Sequence, residues 1–388
     1  MALDFAFSKA DQEFRTYVRD FASCELAPHS SLWDREGVLP WDAIRKMAEA
    51  GLLGLIGPRK LGGQERSFVS LGIAIEELAR ADLSCAMICW LQTTLAGLIP
   101  GWGDETIRAV HRGEQLVCLA TSEEDAGSDV SAMTTVARVD GSDYVVTGRK
   151  IHVSLVPGAQ VMGVTARVPS PDGKARITML RVPADAPGVT TTLMEQMGAR
   201  AHRLGAVDLD GVRIPTTATM GDSGRGKAAL NARFNVSRCL SPLAGIGAAQ
   251  ATLEDTIDYA RKKVVFGRPI ASNQAISFPL VEHLTRLEAA RLLAYRALWM
   301  NDQGEDASTD AAMAKWFGIR SSVDAISDCL SMHGANGFLT AHPYEQRLRD
   351  VTALLFTGGT INIMKILAIK NIIGREFAGI DRPSGDDH

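Results

Sequence analysis

At 388 residues with a net charge of −4, the chain can bury a large core and divide into two or three domains, and it lacks the basic excess expected of a nucleic-acid or anionic-membrane partner. Met1-Ala2-Leu3-Asp4 opens without a basic or apolar leader region, and no run of about eighteen apolar residues is free of charge and glycine, so no membrane span and a cytoplasmic location are expected. Cys24, Cys85, Cys89, Cys118, Cys239 and Cys329 form no CxxC pair and have no histidine at metal spacing, which predicts reduced, mostly buried thiols and no metal site.

The N-terminal segment, 1–115, reads as helical. Ser8 and Asp11 offer a capping box ahead of Phe14, Tyr17, Val18 and Phe21 at helical spacing. A second helix over 41–50 stops at Gly51, and a loop follows at 58–64. Helical pattern resumes over 69–81 and continues after Asp82 into the almost wholly apolar stretch 85–99, which belongs in a core. From 116 to 222 the pattern changes to short runs rich in branched residues, at 116–120, 144–147, 161–165, 177–180 and 206–209. They are separated by turns such as Pro169-Ser170-Pro171-Asp172-Gly173, and predict a small β-barrel or sandwich that closes near 212–215, before a flexible Gly221–Gly226. The segment 223–388 is helical again, near 229–263, 274–302, 309–333 and 360–378, with Gly245, Gly247 and Gly318 allowing close helix approach. The Gly245-Ile246-Gly247 stretch follows no strand, so it reads as a packing surface rather than a dinucleotide fingerprint.

Two stretches carry the chemistry. Thr121-Ser122-Glu123-Glu124-Asp125-Ala126-Gly127-Ser128-Asp129 and Gly148-Arg149-Lys150-Ile151-His152-Val153-Ser154 resemble the flavin-facing T-E-P-x-A-G-S-D and G-x-K-x-W-I-T segments of the acyl-CoA dehydrogenase family. Together with the helical, β, helical order, the resemblance covers essentially the whole chain. It implies an α+β fold with an N-terminal helical domain, a middle β-domain and a C-terminal four-helix bundle. It also implies FAD as cofactor, an acyl thioester on CoA or an acyl carrier protein as substrate, an external electron acceptor, and a homodimer or homotetramer. By this resemblance Ser122 and Ser154 face the flavin ring, Ser128 faces phosphate oxygens or substrate, and His152 replaces the aromatic that lies against the ring, where it could stack or titrate. Lys263-Val264-Val265-Phe266-Gly267, with Gln274, resembles the family's R-x-x-F-G…Q stretch, in which a neighbouring subunit reaches the pyrophosphate and adenine; Lys263 keeps the charge but loses bidentate geometry. Ser331-Met332-His333-Gly334-Ala335-Asn336-Gly337 resembles Q-x-x-G-G-x-G, with Ser331 and Ala335 as departures that weaken the approach to a pyrophosphate. Thr360 and Asn362 complete the implied cofactor residues, and Arg238 and Thr357 the substrate side.

The largest departure falls on the catalytic base. Arg349-Asp350 aligns the family's R-D-A…Y-E-G-T with Arg349 through Thr360, and the glutamate position becomes Gly358. A second family location for the base, on the first long C-terminal helix before an arginine, holds Ser237. Loss of a general base commonly costs ~100- to 10,000-fold, so ordinary α,β-dehydrogenation is disfavoured unless another group acts. His333 and His152 are the nearest titratable candidates, and Asp350 reads as structural, paired with Arg349. The leading expectation is an atypical acyl-thioester flavoprotein in which loss of carbon dioxide from a 2-carboxyacyl thioester generates the α-carbanion without a base. Flavin monooxygenases of the same superfamily and a flavin-free, non-redox enzyme such as a dehydratase are the competing readings.

Overall fold

The computed structural model describes residues 6–169, 175–224 and 226–379, and side chains within them except at 227–229 and 232. The expected turn at Pro169–Gly173 lies outside these residues from 170 onward, as does Arg225 in the expected flexible segment. In chain order the helices are α1 (Lys9–Phe21), α2 (Ser30–Glu36), α3 (Trp41–Glu49), α4 (Phe68–Ala81), α5 (Leu83–Leu98), α6 (Asp104–His111), α7 (Gly226–Lys262), α8 (Gln274–Asp302), α9 (Ser308–Met332), α10 (Tyr344–Ala353) and α11 (Ile361–Ile372). The main-sheet strands, β1 (Val117–Ala120), β2 (Val136–Asp140), β3 (Asp143–Ser154), β4 (Val161–Pro169), β5 (Ala175–Pro183), β6 (Val189–Leu193), β7 (Leu204–Pro215) and β8 (Thr219–Met220), fall between α6 and α7.

Local chemistry explains several boundaries. The Ser8 hydroxyl accepts from Asp11 N at 3.1 Å and donates to the Asp11 carboxylate at 2.7 Å, so the capping signal opens α1 as read. Gly51, just past α3, takes the left-handed conformation. α5 is buried along nearly all of its length, as its composition requires, and Asp82 separates it from α4. The last helix is shorter than expected: α11 ends at Ile372, and the extended turn at Gly374 separates it from a single 3-10 turn at Arg375–Phe377. Apolar periodicity runs past that break, which is why sequence alone carries the helix too far.

The chain packs as two compact units drawn from non-consecutive pieces: Met1–Ala27, Phe68–Leu83 and Asn235–His388 form one, and Pro28–Ser67 with Ser84–Phe234 the other. In the helical unit, Gly245, Gly247 and Gly318 all sit against neighbouring helices; a Cβ on Gly247 would stand 2.1 Å from the Glu76 carbonyl oxygen. In the sheet unit the strand order is β6-β7-β3-β2-β4-β5-β8, with β1 parallel to β4 in the register Val117↔Val161 to Ala120↔Val164. β2 meets β4 only at Val136↔Arg167, so β1 and β2 share one edge of β4 while β5 takes the other. Leu95, Ile99, Trp102, Val110, Val117 and Met179 form a core under the sheet, and the Trp102 indole N–H finds the Leu95 carbonyl at 2.9 Å. Of the cysteines, Cys24 is exposed and the other five are buried thiols.

Candidate active site

The chain leaving β1 makes a tight loop in which Glu123 and Ala126 exchange backbone hydrogen bonds at 3.2 Å. The Ser122 carbonyl accepts from Ile151 N at 2.9 Å, which lays the loop along the end of β3. Glu123 holds it there. Its buried carboxylate accepts from the backbone and hydroxyl of Thr134 at 2.6 and 2.7 Å, from those of Thr135 at 3.0 and 2.6 Å, and from Lys150 Nζ at 2.8 Å. Burial alone would raise this carboxyl, but Lys150 and the two threonines overcome it and hold the group down at about 2. Lys150, 0% exposed, is in turn lowered by burial and pulled back up by Glu123. The pair is neutralised internally, so its work is to fix the loop.

On this frame the expected cofactor residues Ser122, Ser128, His152 and Ser154 lie on two adjoining segments. The hydroxyls of the three serines have no protein partner among the described residues, and a Cβ on Gly127 would meet only open space. His152 sits where the β3–β7 register breaks between Lys150 and Val153, with φ +54° and an exposed ring. The left-handed region costs a non-glycine residue about 1 kcal/mol, which the flanking ladder bonds offset here. The same unit buries Arg233, whose Nε donates to the Thr94 hydroxyl at 3.2 Å and which burial pushes down to about 10.

In the helical unit the turn after α10 passes through Thr357, Gly358 and Gly359 before Thr360 caps α11, its hydroxyl accepting from Ile363 N at 3.4 Å. Gly358, the position expected to replace the family's glutamate, has φ +65°, a backbone that suits glycine and would strain an L residue. Lys315 rises from α9 beneath the turn and donates to the carbonyls of both Thr357 and Gly359, the latter at 2.5 Å. It is 1% exposed, and a Cβ built on Gly358 would lie 3.8 Å from its Nζ. Burial, then the positive charge of Arg238, pushes the Lys315 ammonium down to about 7. Arg238, on α7, donates to the Asn235 side chain at 3.1 Å and is itself lowered by burial; Ser237 beside it is buried. Among the described residues no carboxylate pairs with Lys315.

Sequence reasoning named Arg238, Thr357 and Gly358, and the structure gathers them about a lysine it did not name. The available signal was a charge on the buried stripe of α9, where Lys315 falls in phase with Ala311, Ala314 and Gly318. His333 is committed elsewhere. Its buried ring lies between Tyr259 and Tyr344, with centroids at 4.3 and 4.1 Å, and Nε2 is 3.1 Å from the Thr256 hydroxyl. Arg349 pairs with Glu345 one turn earlier at 2.6 Å, as i,i+4 spacing allows, and Asp350 beside it is buried. Lys263, Phe266 and Gln274 are exposed around a small hairpin, β9 (Val264–Val265) and β10 (Arg268–Pro269), with Phe266 100% exposed at its tip. Ser331, exposed at the end of α9, bonds back to the Ser327 carbonyl at 3.2 Å, and Asn362 is exposed on the first turn of α11.

The sequence matches the N-terminal, middle and C-terminal domains of acyl-CoA dehydrogenase over residues 8–111, 118–212 and 224–373. It is 32% identical to an acyl-CoA dehydrogenase of Bacillus subtilis (strain 168), over 93% of this chain and 97% of that one. The chain belongs to the acyl-CoA dehydrogenase family. A benzylmalonyl-CoA dehydrogenase of Aromatoleum aromaticum is 28% identical over 95% of this chain and the whole of its own. The solved glutaryl-coenzyme A dehydrogenase glutaryl-CoA complex superposes with a TM-score of 0.88 at 28% identity, covering 96% and 98% of the two chains. Family membership brings the class of chemistry: an FAD-dependent oxidoreductase acting on the CH–CH bond of an acyl thioester. The hydroxyls of Ser122 and Ser128 on the clamped loop and of Ser154 at the end of β3, unpartnered among the described residues, are a donor set suited to a flat, hydrogen-bonding cofactor. Among the described residues no helix is long and apolar enough to cross a membrane, and no group of side chains could hold a metal ion.

Proposed function

We propose that this family member oxidises a 2-carboxyacyl thioester with loss of carbon dioxide, giving an α,β-unsaturated acyl thioester. Gly358 carries the reading. Both family base positions are empty of carboxylate, Gly358 by its conformation as well as its identity and Ser237 by its hydroxyl. Decarboxylation reaches the same α-carbanion without removing a proton: the C–C bond to the carboxylate breaks, its electron pair stays on the α-carbon, and the thioester carbonyl delocalises it. When bound, FAD supplies the two-electron acceptor for the β-hydride, so that one substrate gives one carbon dioxide and one enoyl thioester. One relative is named for a substrate of this kind, benzylmalonyl-CoA, which bears a carboxylate on its α-carbon.

In this reading Ser122, Ser128, His152, Ser154, Thr360 and Asn362 hold the cofactor, and Arg238, Thr357 and Gly358 border the substrate. Lys263, Phe266, Gln274 and Ser331 serve a neighbouring subunit's cofactor in a homodimer or homotetramer, which agrees with the full exposure of Phe266. The thioester is carried on CoA or an acyl carrier protein, an external acceptor receives the electrons, and the protein works in the cytoplasm.

The test is hydrogen exchange. In deuterated water the holoenzyme should leave the α-hydrogens of a saturated acyl thioester in place while releasing carbon dioxide from its 2-carboxy counterpart. Exchange at the α-carbon as fast as turnover would reveal a working base and overturn the proposal.

A further inference from the structure

Among the described residues, Lys315 is a buried cation without a counter-charge. A buried ammonium is costly unless an anion or a full set of hydrogen bonds receives it. Two of its three N–H groups go to the carbonyls of Thr357 and Gly359, the residues on either side of Gly358. The neighbouring charge, Arg238, has the same sign and adds to the cost.

We propose that Lys315, through the N–H that its two backbone partners leave over, holds the α-carboxylate of the substrate in the side-chain space that Gly358 leaves open. The ligand's identity rests on the decarboxylating reading above, whereas the anion site rests on geometry alone. A Cβ at residue 358 would lie 3.8 Å from Lys315 Nζ, so a carboxylate in that space is within reach of the ammonium. Stereoelectronics directs it there. The electrons left on the α-carbon must enter the thioester π-system, so the breaking C–CO₂ bond has to take the direction that the breaking C–H bond takes where a base stands at this position. The substrate's carboxylate therefore comes to the place of the missing one. A glycine at 358 is needed to admit it, and the left-handed backbone disfavours any larger residue. Burial has already weakened the ammonium, so it selects the carboxylate without gripping it strongly enough to oppose its loss. Arg238 adds to the positive potential there.

Malonyl-CoA and acetyl-CoA provide the probe pair, since both lack a β-carbon to oxidise and differ only in the carboxylate. Calorimetric titration of the FAD-loaded full chain at pH 8, in two buffers of different ionisation enthalpy, should show malonyl-CoA binding about tenfold more tightly, with proton uptake as the ammonium is completed. Lys315→Met should abolish both preference and uptake, and Lys315→Arg should keep the preference without the uptake. Equal binding of the two thioesters by the unaltered protein, or a Lys315→Met protein that still prefers malonyl-CoA, would overturn the inference. The proton-uptake measurement needs no variant, so a misfolded substitution leaves the test intact. A Lys315-dependent preference without carbon dioxide release from any 2-carboxyacyl thioester would sustain the anion site and sink the proposed reaction. Carbon dioxide release with unchanged KM in Lys315→Met would do the reverse.

Discussion

Lys150 in the sheet unit and Lys315 in the helical unit are equally buried, yet their surroundings differ in one respect. Lys150 meets Glu123 at 2.8 Å and Thr165, and the carboxylate it meets is saturated by two threonines. Lys315 meets only carbonyl oxygens and a second cation. The first arrangement is closed: charge, counter-charge and hydrogen bonds are all accounted for within the protein, and the result is a fixed loop. The second is open, and it lies against Gly358, where a Cβ would stand 3.8 Å from the ammonium. A buried charge thus points to function when its compensation is missing, and to architecture when it is complete.

The largest effect should come from opening the closed pair. Glu123→Gln leaves Lys150 buried with a neutral partner and should cost about 3–5 kcal/mol in urea unfolding of the holoenzyme; a loss below about 1 kcal/mol would mean the pair is solvated in solution. The pH dependences of the two regions should share a sign, stability rising with pH, but fall in separate windows. Glu123 has its folded value near 2, below the unfolded carboxyl's ~4.3, so its contribution is present above that range and lost as the pH falls through it. Lys315, near 7 in the folded chain against ~10.4 unfolded, binds fewer protons folded than unfolded between those values. Its penalty is complete below about pH 7 and is relieved as the pH rises from there, at up to ~1.4 kcal/mol per pH unit. The difference in unfolding free energy between the unaltered protein and Lys315→Met, measured from pH 6.5 to 9, should carry that slope; a flat difference would place a counter-ion beside the lysine. Smallest is the backbone effect. Gly358→Ala should cost about 1 kcal/mol through its left-handed φ, whereas Gly127→Ala, with open space for its Cβ, should stay within about 0.5 kcal/mol. Equal effects at the two glycines would remove the argument that position 358 is built for glycine.

Much of this fold was legible because its signals are local. Ser8 with Asp11, the apolar run of α5 and the glycine past α3 each act within one turn of chain, and the structure realises them. β6, Val189-Thr190-Thr191-Thr192-Leu193, escaped notice because it is a largely exposed edge strand with no apolar alternation to announce it. α10 escaped because its run of Arg, Asp and Gln masks the residues it buries, Tyr344 and Val351. At the site, Ser122 through Ser154 were readable as motifs since each motif is contiguous, and so was the absence of glutamate at Gly358. Lys315 was not, because its meaning depends on a turn far along the chain folding over its ammonium. His333 shows the converse: titratable and near a motif, it looked available, and two tyrosines occupy its faces.

The most direct measurement is anaerobic titration of the yellow holoenzyme with a matched pair, a 2-carboxyacyl-CoA and the same acyl-CoA without the carboxylate, following the flavin absorbance and headspace carbon dioxide together. The account predicts bleaching by the carboxylated thioester with one carbon dioxide released per flavin reduced, and at least ~100-fold slower bleaching by its partner. Rapid bleaching by the simple acyl-CoA would contradict it, because the chain would then contain the base that Gly358 lacks.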